Sequence, residues 1–180
     1  MNILTLQELT LKNFKGIKNF VLVSKGQNVG IHADNALGKT TIIDASSWLL
    51  FGKDSACKAN AQFKPNYTTG SKTGQEIHNL ETEVTGVYEF NGKVITLKKR
   101  LYEKYTKKRG EPQKEFTGNK YKFWVDSVPE TKTVFTKKVD EINHQPLNIH
   151  NTNYYANKAA IIVLSTSGAL SASSAVNMML

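Results

Sequence analysis

The segment Ala33-Asp34-Asn35-Ala36-Leu37-Gly38-Lys39-Thr40-Thr41 constrains this chain more than any other, because it sets a phosphate-binding loop of the Walker A type between an apolar run and an apolar helix. A triphosphate needs backbone N–H groups converging on its β and γ oxygens, a cation that reaches them, and an oxygen ligand for Mg2+. Gly38 lets the backbone approach without a Cβ, and Lys39 places a point charge on the β and γ groups. The Thr40 hydroxyl completes the Mg2+ shell, and Thr41 adds a hydroxyl toward the α-phosphate. The residue types point to ATP or GTP. So short a pattern recurs by chance, so its flanks decide. Val21-Leu22-Val23 and Asn28-Val29-Gly30-Ile31 read as strand; Thr40 to Phe51 reads as a helix carrying Ile42, Ile43, Ala45, Trp48, Leu49 and Leu50 and stopping at Gly52. The bland alternative is a Gly-Lys-Thr-Thr run that only caps an ordinary helix. Ala33 replaces the first glycine of the pattern, and Ala36 and Leu37 stand where such loops favour glycine and a small residue. Alanine at a positive φ costs about 1 kcal/mol relative to glycine, so a weak nucleotide site on an intact fold is expected.

The charge is as uneven as the motif is local. From Lys93 to Lys122 eleven basic residues face three acidic ones, an excess of eight, against a net charge of +9 for all 180 residues. Tyr102, Tyr105, Phe116, Tyr121, Phe123 and Trp124 are interleaved with those lysines. That combination suits a surface lying along a phosphate backbone, and Lys98, Lys99, Arg100, Lys104, Lys107, Lys108 and Arg109 are its candidate contacts. The dominance of lysine favours backbone contact over bidentate base reading, so DNA binding without sequence specificity is expected. The alternative is a solvated hairpin whose lysines keep a strand edge soluble and whose aromatics form the apolar face of a sheet. Cys57 is the only cysteine, which rules out an internal disulfide and suits a reducing compartment. Met1 to Thr5 lacks a basic region followed by an apolar stretch, so the expected location is cytoplasmic. His32, His78, His144 and His150 show no metal-ligand spacing.

Periodicity gives a coarse order. Leu4 to Phe14 reads as a strand, Gly16 as a turn, and Phe20 to Val23 as a second strand. Gly52 to Gly74 reads as a polar, mobile loop beside the nucleotide. Val84 to Phe90, Asn91-Gly92 and Val94 to Leu101 form the clearest hairpin, since Asn-Gly suits a type I′ turn. Lys120 to Val128 reads as further strand and Thr133 to Ile142 as a short helix.

Leu9-Thr10-Leu11-Lys12-Asn13-Phe14-Lys15-Gly16-Ile17, the phosphate loop, Ile43-Asp44-Ala45 and Trp48-Leu49-Leu50-Phe51-Gly52-Lys53-Asp54 together resemble the N-terminal ATP-binding lobe of SbcC and Rad-fifty type DNA-repair ATPases, in the form often encoded by phages and bacteria. The resemblance covers residues 1–142. It implies an α/β P-loop NTPase of ABC/SMC-head type: an N-terminal lobe with an added antiparallel β hairpin sheet, over Val84 to Val128, and an incomplete core. It implies ATP and Mg2+ as cofactors, with Ala33, Asn35, Gly38, Lys39, Thr40 and Thr41 at the phosphate loop and Asn13 and Lys15 near adenine and ribose. It implies DNA, a second ATPase head and a nuclease subunit as partners. Such enzymes hydrolyse ATP with a Walker B acidic pair from a C-terminal lobe and a signature loop from the second head. No apolar strand ending in Asp-Glu is visible here, so binding without turnover is expected.

The composition changes after residue 142: from Asn143 to Leu180 only Lys158 is formally charged. Ala159 to Leu180 has the length of a membrane span, but its serines, Thr166 and Asn177 make it too polar for one. We read 143–180 as a foreign or out-of-frame extension of a truncated gene, and 1–142 as the lobe. Two other readings remain: a lobe of another ABC-like recombination ATPase, and a non-catalytic basic nucleic-acid module with a relic phosphate loop.

Overall fold

The structure, a computed structural model, describes residues 4–27, 29, 31, 38–56, 58, 62–66, 77–107 and 113–143. Among these, the strands are β1 (Leu4–Phe14), β2 (Ile17–Val23), β3 (Thr82–Phe90), β4 (Lys93–Lys107), β5 (Lys114–Val125) and β6 (Val128–Glu130). Helix α1 (Lys39–Phe51) lies between β2 and β3, and α2 (Lys132–Asn143) follows β6. All six strands join one antiparallel sheet in the order β2-β1-β3-β4-β5-β6. The hairpin sheet expected over Val84 to Val128 is therefore continuous with the opening strands rather than separate from them.

Alternation makes the sheet two-faced. A bulge between Leu6 and Glu8 inserts one residue into β1, so Leu6, Leu9 and Leu11 are all buried although strict alternation would separate Leu6 from Leu9. Val84 and Tyr88 on β3 and Ile95, Leu97 and Leu101 on β4 continue the buried face. α1 packs on this face and is itself buried along most of its length through Ile42, Ala45, Trp48, Leu49 and Leu50. Such all-round burial marks an interior helix. α2 presents Phe135, Val139 and Ile142, a stripe at helical spacing, and Phe135 meets Phe123 of β5 at 5.1 Å between ring centroids. The Thr131 hydroxyl caps it by accepting from the Val134 N–H at 3.3 Å.

The turns follow residue chemistry. Asn91 (φ 52°) and Gly92 (φ 73°) form the left-handed pair that a type I′ hairpin requires. The expected strand from Lys120 to Val128 is corrected here: Asp126 (φ 49°) and Ser127 (φ 69°) form a second left-handed turn and split it into the end of β5 and the start of β6. Without a glycine that turn carries little sequence signal, and the Asp126 carboxylate supports it by accepting from the Thr96 N–H at 2.8 Å. A strand at Asn28 to Ile31 is not found at its described members, since Val29 and Ile31 are irregular although partly buried. Within the stretch expected to be a polar loop, Phe63, Lys64 and Pro65 are buried: the Phe63 ring lies 5.4 Å from Trp48 and 5.8 Å from Phe14. The tail from His144 to Leu180 lies outside the described residues.

Gly86 has a packing reason to be glycine. A Cβ there would sit 2.5 Å from Cε2 of Tyr88, whose ring lies back along β3 beneath it. Gly86→Ala is expected to destabilise the fold by about 1–3 kcal/mol. Tyr88→Phe is expected to cost nothing, because the buried Tyr88 hydroxyl has no hydrogen-bond partner among the described residues. Urea titration of the two variants against the parent checks both.

Candidate functional site

α1 begins inside the phosphate motif, at Lys39. Gly38 is its cap residue in the left-handed region (φ 88°, ψ 12°), a conformation that penalises any Cβ, and among the described residues no side chain caps the helix. The first turn carries Lys39, Thr40 and Thr41 and no acidic residue, so its positive dipole end is not countered from within the helix. Thr40 is exposed, and Lys39 and Thr41 are half-buried. Ala33 and Asn35 lie outside the described residues.

The β1–β2 turn meets this helix. Lys15, at φ 49°, stands in a region that bulky residues rarely occupy, and its ammonium bonds the Asp44 carboxylate at 2.6 Å. Asp44 lies one helical turn beyond Thr40 and also accepts from the Ser55 N–H at 2.9 Å. Burial pushes the Asp44 carboxyl up, but the bonds from Lys15 and Ser55 outweigh it and leave it below the usual range. The Lys15 carbonyl accepts from the Asn66 N–H at 2.9 Å. Lys15 is thus brought to the phosphate-loop helix, while Asn13, at φ 50°, donates from Nδ2 to the Glu81 carbonyl at 3.1 Å. Nothing in the spacing of Asp44 marked it for this role; only the fold sets it against Lys15.

The basic run divides by strand alternation. Lys98 and Arg100 point to the face away from α1, whereas Lys99 points into the core, which removes it from the surface expected of it. Its ammonium donates to the Trp48 carbonyl at 2.9 Å and lies 4.5 Å from the Trp48 ring centroid, with Tyr121 and Phe123 also within 6 Å. α1 has no basic residue in its last turn, and Lys99 supplies that charge from β4. Burial, then the nearby Lys132 charge, pushes its pKa down to about 7. Arg100 is held by Glu83 at 2.6 Å and Glu81 at 2.9 Å. Lys104 and Lys107 are exposed toward the far end of the hairpin; Lys108 and Arg109 lie outside the described residues.

A second node escaped the sequence reading. The Glu103 carboxylate accepts from Lys64 at 2.7 Å, the Tyr105 hydroxyl at 2.6 Å and the Asn79 N–H at 2.9 Å, and contacts His78 Nδ1 at 2.7 Å. Burial works against the charge, but these bonds bring its pKa down to about 2. The chain's Asp-Glu pair, Asp140-Glu141, sits in α2 and not at a strand end. Among the described residues no group of three His, Cys, Asp or Glu is placed to hold a metal, and no helix is long and apolar enough to cross a membrane.

A family model described as an AAA domain matches residues 8–163. Two solved structures share the architecture. One comes from work on "ATP-driven dimerization and DNA stimulated activation of SMC ATPases", with TM-score 0.54 and 19% identity over 82% of this chain and 86% of that one. The other is an Smc head domain with a coiled coil and joint from Pyrococcus yayanosii, with TM-score 0.55 and 16% identity over 79% of this chain and 26% of that one. No curated relative matches. At these identities the likeness carries the fold, that of a P-loop NTPase head of ABC/SMC type.

The buried Lys99 sets a pH dependence. Its folded pKa of about 7 lies below the ordinary lysine value of about 10.4, so between them the unfolded chain holds the extra proton and stability rises with pH. Melting temperature is expected to increase from pH 7 to pH 9 in the parent, and Lys99→Met is expected to abolish that increase.

Proposed function

The chain belongs to the AAA domain family and has the fold of an SMC-like ATPase head, and from that premise we propose that it is the ATP-binding lobe of a DNA double-strand-break repair or recombination ATPase of SbcC and Rad-fifty type. The observation that carries the reading is Gly38 in the left-handed region opening a buried helix on Lys39-Thr40-Thr41. A left-handed glycine, a first helical turn without acidic residues and an exposed threonine hydroxyl fit the donor set that a Mg-triphosphate needs.

In this proposal Lys39 neutralises the β and γ phosphates, Thr40 ligates Mg2+ and Thr41 reaches the α-phosphate, with Ala33 and Asn35 completing the loop. The bound nucleotide supplies the phosphoanhydride; this chain's residues bind and orient it. Lys15, tied to Asp44 one turn into α1, couples the opening strand-turn to the helix that bears the phosphates. Asn13 and Lys15 border the adenine and ribose. Turnover requires a Walker B pair and a trans-acting head, which we propose come from partners, together with a nuclease subunit. The boundary near residue 142 and a cytoplasmic setting belong to the same proposal.

DNA is the second ligand, held through phosphates by Lys98, Lys104 and Lys107, with Lys108 and Arg109 beyond them. Arg100, already paired with two glutamates, contributes less. The competing reading, a basic module with a relic phosphate loop, is favoured by Ala36 and Leu37 and predicts that Lys39 is dispensable.

Calorimetry on the full chain decides between them. Lys39→Ala is expected to weaken Mg-ATP binding at least about tenfold, the scale of losing a charge-assisted phosphate contact; no binding by either protein would overturn the nucleotide reading. For DNA, log affinity is expected to fall linearly with log salt, and Lys104→Ala to reduce the slope by about 1. Fluorescence anisotropy across a salt series checks it.

A further inference from the structure

The pairing of β4 with β5 sorts the aromatics of the basic run into two populations. Tyr121 and Phe123 turn toward α1 and α2, where they surround Lys99 and meet Phe135. Tyr102 and Trp124 fall on the opposite face, which no helix covers among the described residues. There the register sets Lys98 opposite Trp124, Arg100 opposite Lys122, and Tyr102 opposite Lys120. The three cross-strand rows thus read cation with ring, cation with cation, ring with cation. No acidic residue of β4 or β5 stands in them; Glu83 of β3 flanks Arg100 on its other side, and Glu103, the nearest acid on β4, is buried in its own node.

The rings are already arranged by charge. Lys98 Nζ lies 5.0 Å and Arg100 Cζ 5.1 Å from the Trp124 centroid, and Lys122 Nζ lies 5.1 Å from that of Tyr102. Glu81 and Glu83 hold the Arg100 guanidinium, so it braces Trp124 while Lys98, Lys120 and Lys122 carry the net charge of the face. Trp124 and Tyr102 stand four residues apart in register, about 13 Å along the strands.

We propose that this outer face of the β4–β5 hairpin is a platform for single-stranded nucleic acid, on which unpaired bases stack on Trp124 and Tyr102 while Lys98, Lys120 and Lys122 hold the phosphates. The proposal deepens the nucleic-acid reading above and rests on it. Duplex DNA offers a flat protein surface its phosphates and groove edges, and keeps the faces of its bases stacked inside. Rings set in the plane of a sheet reach base faces only where the strand is unpaired, which is how aromatic-bearing sheets take single strands. On this chain an end or an opened stretch of duplex is the natural occupant.

The test uses the full chain with labelled oligo(dT), oligo(U) and a duplex of equal length, read by anisotropy at low salt. Trp124→Leu and Tyr102→Leu are each expected to weaken oligo(dT) binding by about 5- to 100-fold, the scale of one lost base–aromatic stack, and to weaken duplex binding much less. Trp124→Phe, which keeps a ring and guards against a folding artefact, is expected to retain most of the affinity. Since the other tryptophan, Trp48, is buried, quenching of tryptophan fluorescence by oligo(dT) reports on Trp124. Oligo(U) bound as well as oligo(dT) supports a general single-strand platform; a preference for oligo(dT) supports one for DNA. Salt-sensitive duplex binding with single-strand affinity indifferent to Trp124→Leu would overturn the platform and leave the basic surface standing. Failure of every nucleic acid to bind would overturn both.

Discussion

The burial of α1 against one face of the sheet is the constraint on which the rest depends. Trp48 is 1% exposed and sits within 5.6 Å of the Phe14 ring and 5.4 Å of the Phe63 ring, so the turn after β1, the helix and the 62–66 segment close on one aromatic cluster. Each such ring pair contributes about 0.5–1.5 kcal/mol beyond the area it buries. The helix is fastened at both halves as well: Asp44 takes Lys15 and Ser55, and the Trp48 carbonyl takes both the Gly52 N–H at 3.1 Å and the Lys99 ammonium. The proposed phosphate contacts at one end of the helix depend on this fastening, because the geometry of a helix N-terminus is set by where the rest of the helix lies.

Strand alternation then decides the fate of the charged run. Lys98, Lys99 and Arg100 are consecutive and chemically alike, yet one supports a tryptophan on the outer face, one ends in an aromatic cage in the core, and one is neutralised by two glutamates. Burying Lys99 is tolerable because the ammonium gains a carbonyl at the negative end of a helix and the faces of three rings. These contacts favour the ammonium, but desolvation still outweighs them and holds its pKa down to about 7.

Glu103 does for the loops what Trp48 does for the helix. A single buried carboxylate with four partners joins β4 to the segments at Lys64 and at His78-Asn79, and Lys64 in turn covers the Phe116 ring at 4.9 Å. Polar segments that would otherwise leave the sheet are drawn onto the hairpin that carries the basic face.

The local features were legible in the chain alone: the helix after the phosphate motif with its Gly52 stop, the opening strands, the Asn91-Gly92 hairpin and the short helix from Thr133 to Ile142. Each of these rests on periodicity or on residues with their own backbone preference, and neither needs a distant partner. Chain order could not show that the strands form one sheet, that Phe63 belongs to the core, or that Asp126-Ser127 breaks a strand without a glycine. Nor could it place Lys15 on Asp44, gather four donors on Glu103, or divide Lys98, Lys99 and Arg100 between two faces. Those outcomes depend on register and on contacts between residues far apart in the chain. A shift of one residue in pairing exchanges the faces of a strand, so the assembled sheet settles which of these basic residues turn outward and which enter the core.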